Sequence, residues 1–422
     1  MFDQLPPTTG ESPTVAGQVC NLARPDAVLS GSSAIDRSRS SEPGLRAEVL
    51  ESTAALLALA DPWNRLWQRS EVTIPTARAE PVAHWVETFA PARMFRAVLV
   101  WSGDLLVGAL PLVRRRLGQL VPVWAATINH WSPNGELLLD PAADQDAVAG
   151  ALAAAVCGQP WPLAWLETVP WATSRWRRLC EAMTRLGAVV DIQPRYEIGR
   201  VSVTDAFEVY MAGRSRNLRR NVRKDFRRLA GEGRLRVALC DHLAAEEVEP
   251  ALRCVFSLED RGWKGAGGTS VLQNRGMFEF YCRQAEHFAR QGRLRLALLE
   301  HAGRPIAFEL GWLAKGVYHS FKVGYDERYG KFGPGHLLRA GIVEADCGDP
   351  ARQAIDFQGP ITEALRSWAT ETYSVGRIAI CPPGTAPRML WAAISGLRRG
   401  SHWLKRVSTL PPLLSPRLRV SA

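Results

Sequence analysis

Val317-Tyr-His-Ser-Phe-Lys-Val-Gly-Tyr-Asp326, Tyr329-Gly-Lys-Phe-Gly-Pro-Gly335 and His336-Leu-Leu-Arg-Ala-Gly-Ile-Val-Glu-Ala345 follow one another in this 422-residue chain. The first stretch reads as a strand, the second as a loop punctuated by glycine and proline, and the third as a helix. A further strand ends in Asp356-Phe357-Gln358-Gly359. The first turn of a helix carries backbone N–H groups without intrahelical partners, and the macrodipole adds partial positive charge, so an anionic phosphate is stabilised there. Gly333 and Gly335 permit close backbone approach, while Pro334 presets φ at the helix entry and needs no hydrogen-bond acceptor. A pyrophosphate fits such a loop; a plain strand-to-helix turn would use the same tripeptide.

Working outward, Arg295-Leu-Ala-Leu-Leu-Glu-His-Ala-Gly-Arg-Pro-Ile-Ala-Phe-Glu-Leu-Gly-Trp312 predicts a hairpin leading into the Val317 strand. Ala97-Val-Leu-Val-Trp-Ser-Gly-Asp-Leu-Leu-Val-Gly-Ala-Leu-Pro-Leu-Val113 has the same arrangement, turning about Ser102-Gly103-Asp104, so the chain reads as an internal duplication. The first copy has no counterpart of Gly333-Pro334-Gly335: His130-Trp-Ser-Pro-Asn-Gly135 leads instead into the strand-like Glu136–Leu139. Helices are expected at Glu48–Ala60, stopped by Asp61-Pro62, at Ala143–Val156 and at Ser174–Leu186, with a strand at Pro162–Glu167. Trp63 and Trp67 lie one turn apart and read as core. Arg195–Val203 is the strand expected to cross into the second domain.

Between Arg214 and Arg236 stand ten basic and two acidic residues, a local charge of +8 in a chain whose formal net charge is +10. Leu218, Val222, Phe226 and Leu229 fall within roughly 80° on a helical wheel, giving a narrow apolar stripe beneath a basic surface. Such a helix serves as a solvated face, as an electropositive platform for an anionic substrate or lipid surface, or as a docking face for RNA.

Composition bounds the class. With 46% hydrophobic residues the chain supports more than one core, which suggests two domains. Eight scattered cysteines without close pairs suggest neither a zinc site nor a disulfide framework, and a reduced cytoplasm fits best. There is no secretory leader pattern, and no apolar run approaches the ~20 residues needed to cross a bilayer. Residues 1–44, rich in Pro, Ser, Thr and Gly, are expected to be disordered. The stretch Leu390–Arg419 is basic, with Trp391 and Trp403 among its leucines, and suits packing on its own domain or peripheral contact with an anionic membrane.

The order and spacing of Ser215-Arg-Asn-Leu-Arg-Arg-Asn-Val-Arg-Lys-Asp-Phe-Arg-Arg-Leu229, Trp263, Phe280-Tyr281, Pro305-Ile-Ala307, Gly324-Tyr-Asp326, Pro334-Gly335 and Asp356-Phe357 with Gly359 carry a family likeness. From about residue 60 to 390 the sequence resembles the GNAT acyltransferase superfamily, in its double-domain branch that includes CelD-like proteins of cellulose biosynthesis and is related to Fem-type peptidoglycan aminoacyltransferases. The resemblance implies an α/β (α+β) fold of two tandem GNAT-like domains, each a mixed, largely antiparallel sheet flanked by helices. The boundaries are residues 45–195 without a donor site, 196–390 as the acyltransferase domain, and 391–422 as a basic tail. It implies acetyl-CoA or another acyl-CoA as donor and an amine or hydroxyl of a sugar, polysaccharide precursor or small metabolite as acceptor. Fem relatives use aminoacyl-tRNA but carry an inserted helical hairpin, for which the stretch between the basic helix and Arg295 leaves no room; nucleic acid is therefore not the expected partner.

Acyl transfer from a thioester needs a base for the acceptor, a stabilised oxyanion and an acid for the departing thiolate. The candidates for base are Glu309, His319, Asp326 and Asp356, with Asp356 preferred as a strand-end carboxylate; Tyr325 or Tyr373 would protonate the thiolate. Strand alternation sets Tyr318, Ser320, Lys322, Gly324 and Asp326 on one face and His319, Phe321, Val323 and Tyr325 on the other. His319 reads as a satisfied sheet histidine. The donor cradle is assigned to Lys331, Gly333, Gly335, His336 and Leu337, and acceptor contacts to Arg216, Trp263 and Asp326. Relatives commonly place a Tyr-Lys pair where this chain has Ala364 and Leu365, ahead of Trp368, with Arg366 one step round the helix. That departure makes a catalytically silent binding protein of envelope polysaccharide assembly one competing reading, beside a Fem-type aminoacyltransferase that the likeness to the Fem relatives keeps open.

Overall fold

The computed structural model describes residues 44–394 apart from 91–93, 118–120, 160–161 and 204. The expectations for the N-terminal segment and for the tail beyond residue 394 lie outside the described residues. In chain order the strands are β1 Leu45–Leu50, β2 Phe95–Ser102, β3 Leu105–Leu117, β4 Val121–Ala126, β5 Leu138–Leu139, β6 Ala164–Val169, β7 Val189–Ser202, β8 Leu235–Cys240, β9 Leu294–His301, β10 Arg304–Ala314, β11 Val317–Tyr325, β12 Ala354–Pro360 and β13 Glu371–Cys381. The helices are α1 Thr53–Ala58, α2 Ala60–Arg69, α3 Ala79–Phe89, α4 Gln145–Cys157, α5 Ser174–Arg185, α6 Phe207–Ala212, α7 Arg216–Glu232, α8 Ala245–Asp260, α9 Trp263–Ala266, α10 Met277–Ala289, α11 Pro334–Cys347 and α12 Glu363–Arg366.

All strands join one mixed sheet in the order β1-β2-β3-β4-β6-β13-β7-β12-β11-β10-β9-β8, with β5 beside β3. The order is a palindrome. β4 runs parallel to β6 as β11 does to β12, and the remaining pairs are antiparallel. Register repeats as well: Ala164 pairs with Trp124 and Ile380, and Ala354 pairs with Val317 and Ser202. Four residues on, Thr168 and Gln358 both take φ +57°, each two residues before a proline, Pro170 and Pro360. A non-glycine residue held there is strained, so its recurrence at matched positions marks the two halves as copies.

The halves are also interlocked. β13, the last strand of the second half, lies between β6 and β7, and β7 lies between β13 and β12. The expected boundary between residues 195 and 196 therefore falls inside a strand that serves both halves. One face of the sheet carries a core shared by α1–α3 and α8–α10, including Trp63, Trp67, Trp85, Phe256 and Tyr281. On the other face α4 and α5 cover the first half, and α6, α7 and α11 cover the second.

The local chemistry is direct in the second half. Ala302-Gly303 and Lys315-Gly316 all have positive φ, giving two tight two-residue hairpin turns between β9, β10 and β11. The Lys315 ammonium is held by the carbonyls of Trp67, Ser70 and Val72, which ties this hairpin to the first half. In one place the pattern misleads: the helix expected over Glu48–Ala60 is strand β1 followed by α1. β1 pairs with β2 along its whole length, so tertiary pairing overrides an apolar spacing that a helix also satisfies. Asp61-Pro62 does not stop a helix but sits in the first turn of α2, where a missing N–H is harmless.

Candidate functional site

β11 and β12 are paired only from Val317↔Ala354 to His319↔Asp356. Beyond that point β12 turns at Gln358 and β11 continues to Tyr325, so the sheet forks. Four polar side chains meet at the fork. The Asp356 carboxylate accepts from the Gln358 backbone N–H at 2.9 Å and from the Tyr373 hydroxyl at 3.2 and 3.0 Å. Gln358 Nε2 lies 3.1 Å from His319 Nδ1; since an amide nitrogen donates, Nδ1 is the acceptor. Asp356 is buried, and burial raises its pKa, an effect that the Gln358 amide and the Tyr373 hydroxyl only partly offset. Tyr373 is raised well above the usual phenol range, first by burial and then by the carboxylate beside it. Burial holds His319 neutral, with a pKa of about 3. His319 is thus a poor base and Asp356 the one carboxylate of the fork. In the first half the residue matching Asp356 by register is Leu166.

The other end of β11 leads into the N-terminus of a helix. Asp326 caps the 3-10 turn Glu327–Phe332, accepting from Arg328 N at 3.0 Å while the Arg328 guanidinium holds both of its oxygens. Gly333, at φ +57°, then turns the chain into α11 with Pro334 in its first turn. No side chain caps α11, and its first turn carries no acidic residue. Its counterpart α4 is the opposite case, because Asp144 accepts from the amides of Asp146 and Ala147 at 3.0 and 3.1 Å and Asp146 adds a second carboxylate. The same helix is capped by carboxylates in one half and by no side chain in the other. The basic α7 packs on α11 and on the 3-10 turn, and Arg228 and Lys331 both lie over the Phe332 ring, at 5.1 and 4.8 Å. Asp225 of α7, with Lys224 and Arg228 each at 3.6 Å, is the carboxylate nearest this entrance, 3.7 Å from where a Cβ on Gly333 would stand. His336 stacks on Trp368, whose indole N–H donates to His336 Nδ1 at 2.9 Å; burial lowers the histidine's pKa.

The expected site residues divide between these two places. Lys331, Gly333, Gly335 and His336 gather at the mouth of α11, while Leu337 is buried in the core beneath it. A Cβ on Gly335 would meet nothing within 4 Å. Arg216 is exposed at the start of α7. Trp263 opens α9, and its side chain lies outside the described residues. Asp326 is committed to Arg328 and helps line a cavity of about 410 Å³ with Arg261, Arg304, Ile306 and Tyr329. Tyr325 is partly exposed and stands six residues along β11 from His319, roughly 20 Å away, so it cannot act on an atom that Asp356 also reaches.

Glu309 is not free to act as a base: its carboxylate forms a buried two-point ion pair with Arg339, at 3.1 and 2.7 Å. Removing one partner would leave a buried charge alone, so Arg339→Met is expected to lower stability by about 3–5 kcal/mol and Glu309→Gln in that background to recover much of it, as read by urea unfolding. Arg366 does not stand in for the missing lysine, since its guanidinium pairs with Glu197 at 2.9 Å. The alternation along β11 also breaks: Gly311 pairs with Ser320 and Leu310 with Lys322, so Phe321 is a bulge. Phe321 and Lys322 both reach the Tyr281 ring, at 5.8 and 5.1 Å, instead of lying on opposite faces. Gln358, Arg200 opposite Asp356, and Lys322 were not singled out from the sequence; the one signal was Gln358 following Asp356-Phe357.

Residues 216–364 match the family described as the acetyltransferase (GNAT) domain. Among solved structures, FemX is similar in fold at 11% identity, with a TM-score of 0.51 over 79% of this chain and 96% of that one. A tandem GNAT protein from the clavulanic acid biosynthesis pathway aligns over 81% of this chain and all of its own, at 14% identity and a TM-score of 0.41. No curated protein matches the sequence. The matched residues 216–364 take in the forked strands β11 and β12, the start of α11 and the basic α7, so this stretch of the chain is what is similar to a GNAT acetyltransferase domain.

Proposed function

We propose that this protein transfers an acyl group, acetyl in the simplest case, from acyl-CoA to an amine or hydroxyl of a sugar, polysaccharide precursor or other small metabolite. The observation that carries the reading is the contrast between the two copies of one helix, α4 closed by its own aspartates and α11 open beside an arginine-rich neighbour. In this reading the diphosphate rests on the mouth of α11, with Lys331 and Arg228 as counter-charges. The extended arm runs back along the unpaired edge of β11 and brings its thioester to the fork. There the acceptor attacks the carbonyl, a C–N or C–O bond forms as the C–S bond breaks, and Asp356 takes the acceptor's proton. The thiolate departs and takes its proton from solvent. Tyr373 holds the carboxylate in place and limits how far burial raises its pKa.

Calorimetric titration of the full chain with acetyl-CoA, CoA and charged tRNA tests the donor. Micromolar binding of both thioester and CoA, with none of tRNA, is the expected result; binding of tRNA alone would replace this reading with an aminoacyltransferase. Asp225 supplies a check on position. Its carboxylate would face the incoming phosphates, so Asp225→Asn should tighten CoA binding about three- to tenfold. Unchanged or weaker affinity would move the diphosphate away from this end of the helix.

A further inference from the structure

Among the described residues the Lys322 amine forms no salt bridge, and Glu259 acts on it only at longer range. The lysine sits beside the bulge of β11, half-buried, between the ring of Trp131 at 4.9 Å and that of Tyr281 at 5.1 Å. Trp131 belongs to the first half and Tyr281 to α10 of the second, and the Tyr281 hydroxyl donates to the Trp131 carbonyl at 2.6 Å. The two walls of the slot are therefore pinned together across the seam of the halves.

The acid that acts on it electrostatically, Glu259, is already engaged. It accepts from Lys264 Nζ at 2.7 Å and from the Val271 amide at 3.1 Å, and Lys264 also reaches the Val323 carbonyl. Among the described residues no carboxylate pairs with Lys322. A buried ammonium costs several kcal/mol unless something compensates it, and two aromatic faces compensate only in part. Burial accordingly pushes the Lys322 ammonium down to about 8, so it is still mostly charged at neutral pH. The slot lies on the α8–α10 face of the sheet, whereas α7 and α11 cover the other face. Two substrates that meet at a forked strand can approach it from opposite faces, and the open helix end claims one of them for the donor.

We propose that Lys322 is the counter-ion for the acceptor: its ammonium, set between Trp131 and Tyr281, binds the carboxylate or phosphate of an anionic acceptor whose flat body lies against the Trp131 ring. The inference rests on the acyl-transfer reading and adds the class of acceptor. Trp131 and Lys322 both keep some exposed surface, so the slot is reachable from outside.

The test uses the full chain with the donor site saturated by CoA. Inorganic phosphate, glucosamine 6-phosphate and glucuronate are titrated calorimetrically, with glucosamine as the comparison that lacks the anion. Wild-type protein is expected to bind at least one of the three anions, Lys322→Met to bind it at least tenfold more weakly, Lys322→Arg to recover part of the loss, and glucosamine to distinguish none of them. The affinity for the anion should also fall as pH rises past about 8, when the amine loses its proton. The charged groups that face it, Glu259 and Lys264, are paired with each other, and Tyr281 stays protonated because burial raises it further. Equal affinity in wild type and Lys322→Met, or no anion binding by the wild type, overturns the proposal. CoA titrated alone into Lys322→Met separates the two readings. Affinity retained there leaves the donor site standing whatever the anions do, and affinity lost would make Lys322 a donor contact and sink the acceptor role.

Discussion

Gly335→Glu is expected to weaken CoA binding at least 100-fold, roughly 2.7 kcal/mol, while the melting temperature holds or rises slightly. The two halves of that expectation come from the same place in the structure. The new Cβ would meet no atom within 4 Å, and Gly335 is not among the positive-φ glycines, so the backbone accepts a side chain without strain. Replacing glycine in a helix reduces the freedom of the unfolded chain, and a carboxylate in the first turn complements the macrodipole, so the fold gains if anything, by about 0.5–1 kcal/mol. The ligand meets the reverse. A fixed negative charge then stands where the diphosphate would sit, at a helix entrance that no side chain caps. Circular dichroism melts beside CoA titrations read both quantities, and near-normal CoA affinity in a folded variant would mean that the diphosphate binds elsewhere.

Asp356→Asn should lower kcat by a factor of about 10²–10⁴ with CoA affinity unchanged within about twofold. The amide keeps the shape of the carboxylate and can still accept from Tyr373, so the change removes the proton acceptor and little else. The pH profile gives an independent reading. Burial raises the Asp356 pKa, and only the ionised form can act as base, so kcat/KM should climb with pH through that raised value and then level off. The Tyr373 hydroxyl opposes the rise, so Tyr373→Phe should move the climbing limb to higher pH as well as depress its plateau. Full activity in Asp356→Asn would make the fork a structural polar cluster and send the search for a base elsewhere.

What could be read from the chain is set by how local the physics is. Gly333-Pro334-Gly335 writes its own backbone geometry, and the run Leu218, Val222, Phe226, Leu229 fixes which side of α7 is buried, so both were legible. The duplicated hairpins were legible for the same reason, being short, apolar and closed by glycine turns. Distance in sequence hid the rest. Glu309 looked like a strand carboxylate available for chemistry because Arg339, which neutralises it, comes from α11 and the sheet has to form before they meet. The bulge at Phe321 is invisible to a period-two reading, which sends Lys322 to the wrong face. Tyr325 and Asp356 read as one site in the sequence because nothing there states how many residues of β11 lie beyond the last pair with β12.

The crossing of β7 and β13 has a consequence for how the chain is made. When the ribosome has released the first half, β6 still shows a bare edge, because the strand that covers it, residues 371–381, is among the last of the described segments to emerge. That edge is a template for pairing with any other nascent chain until residues 371–381 emerge. A messenger truncated before codon 371 would therefore yield a sticky product and not a smaller working protein, and a gene encoding either half alone would inherit the same defect.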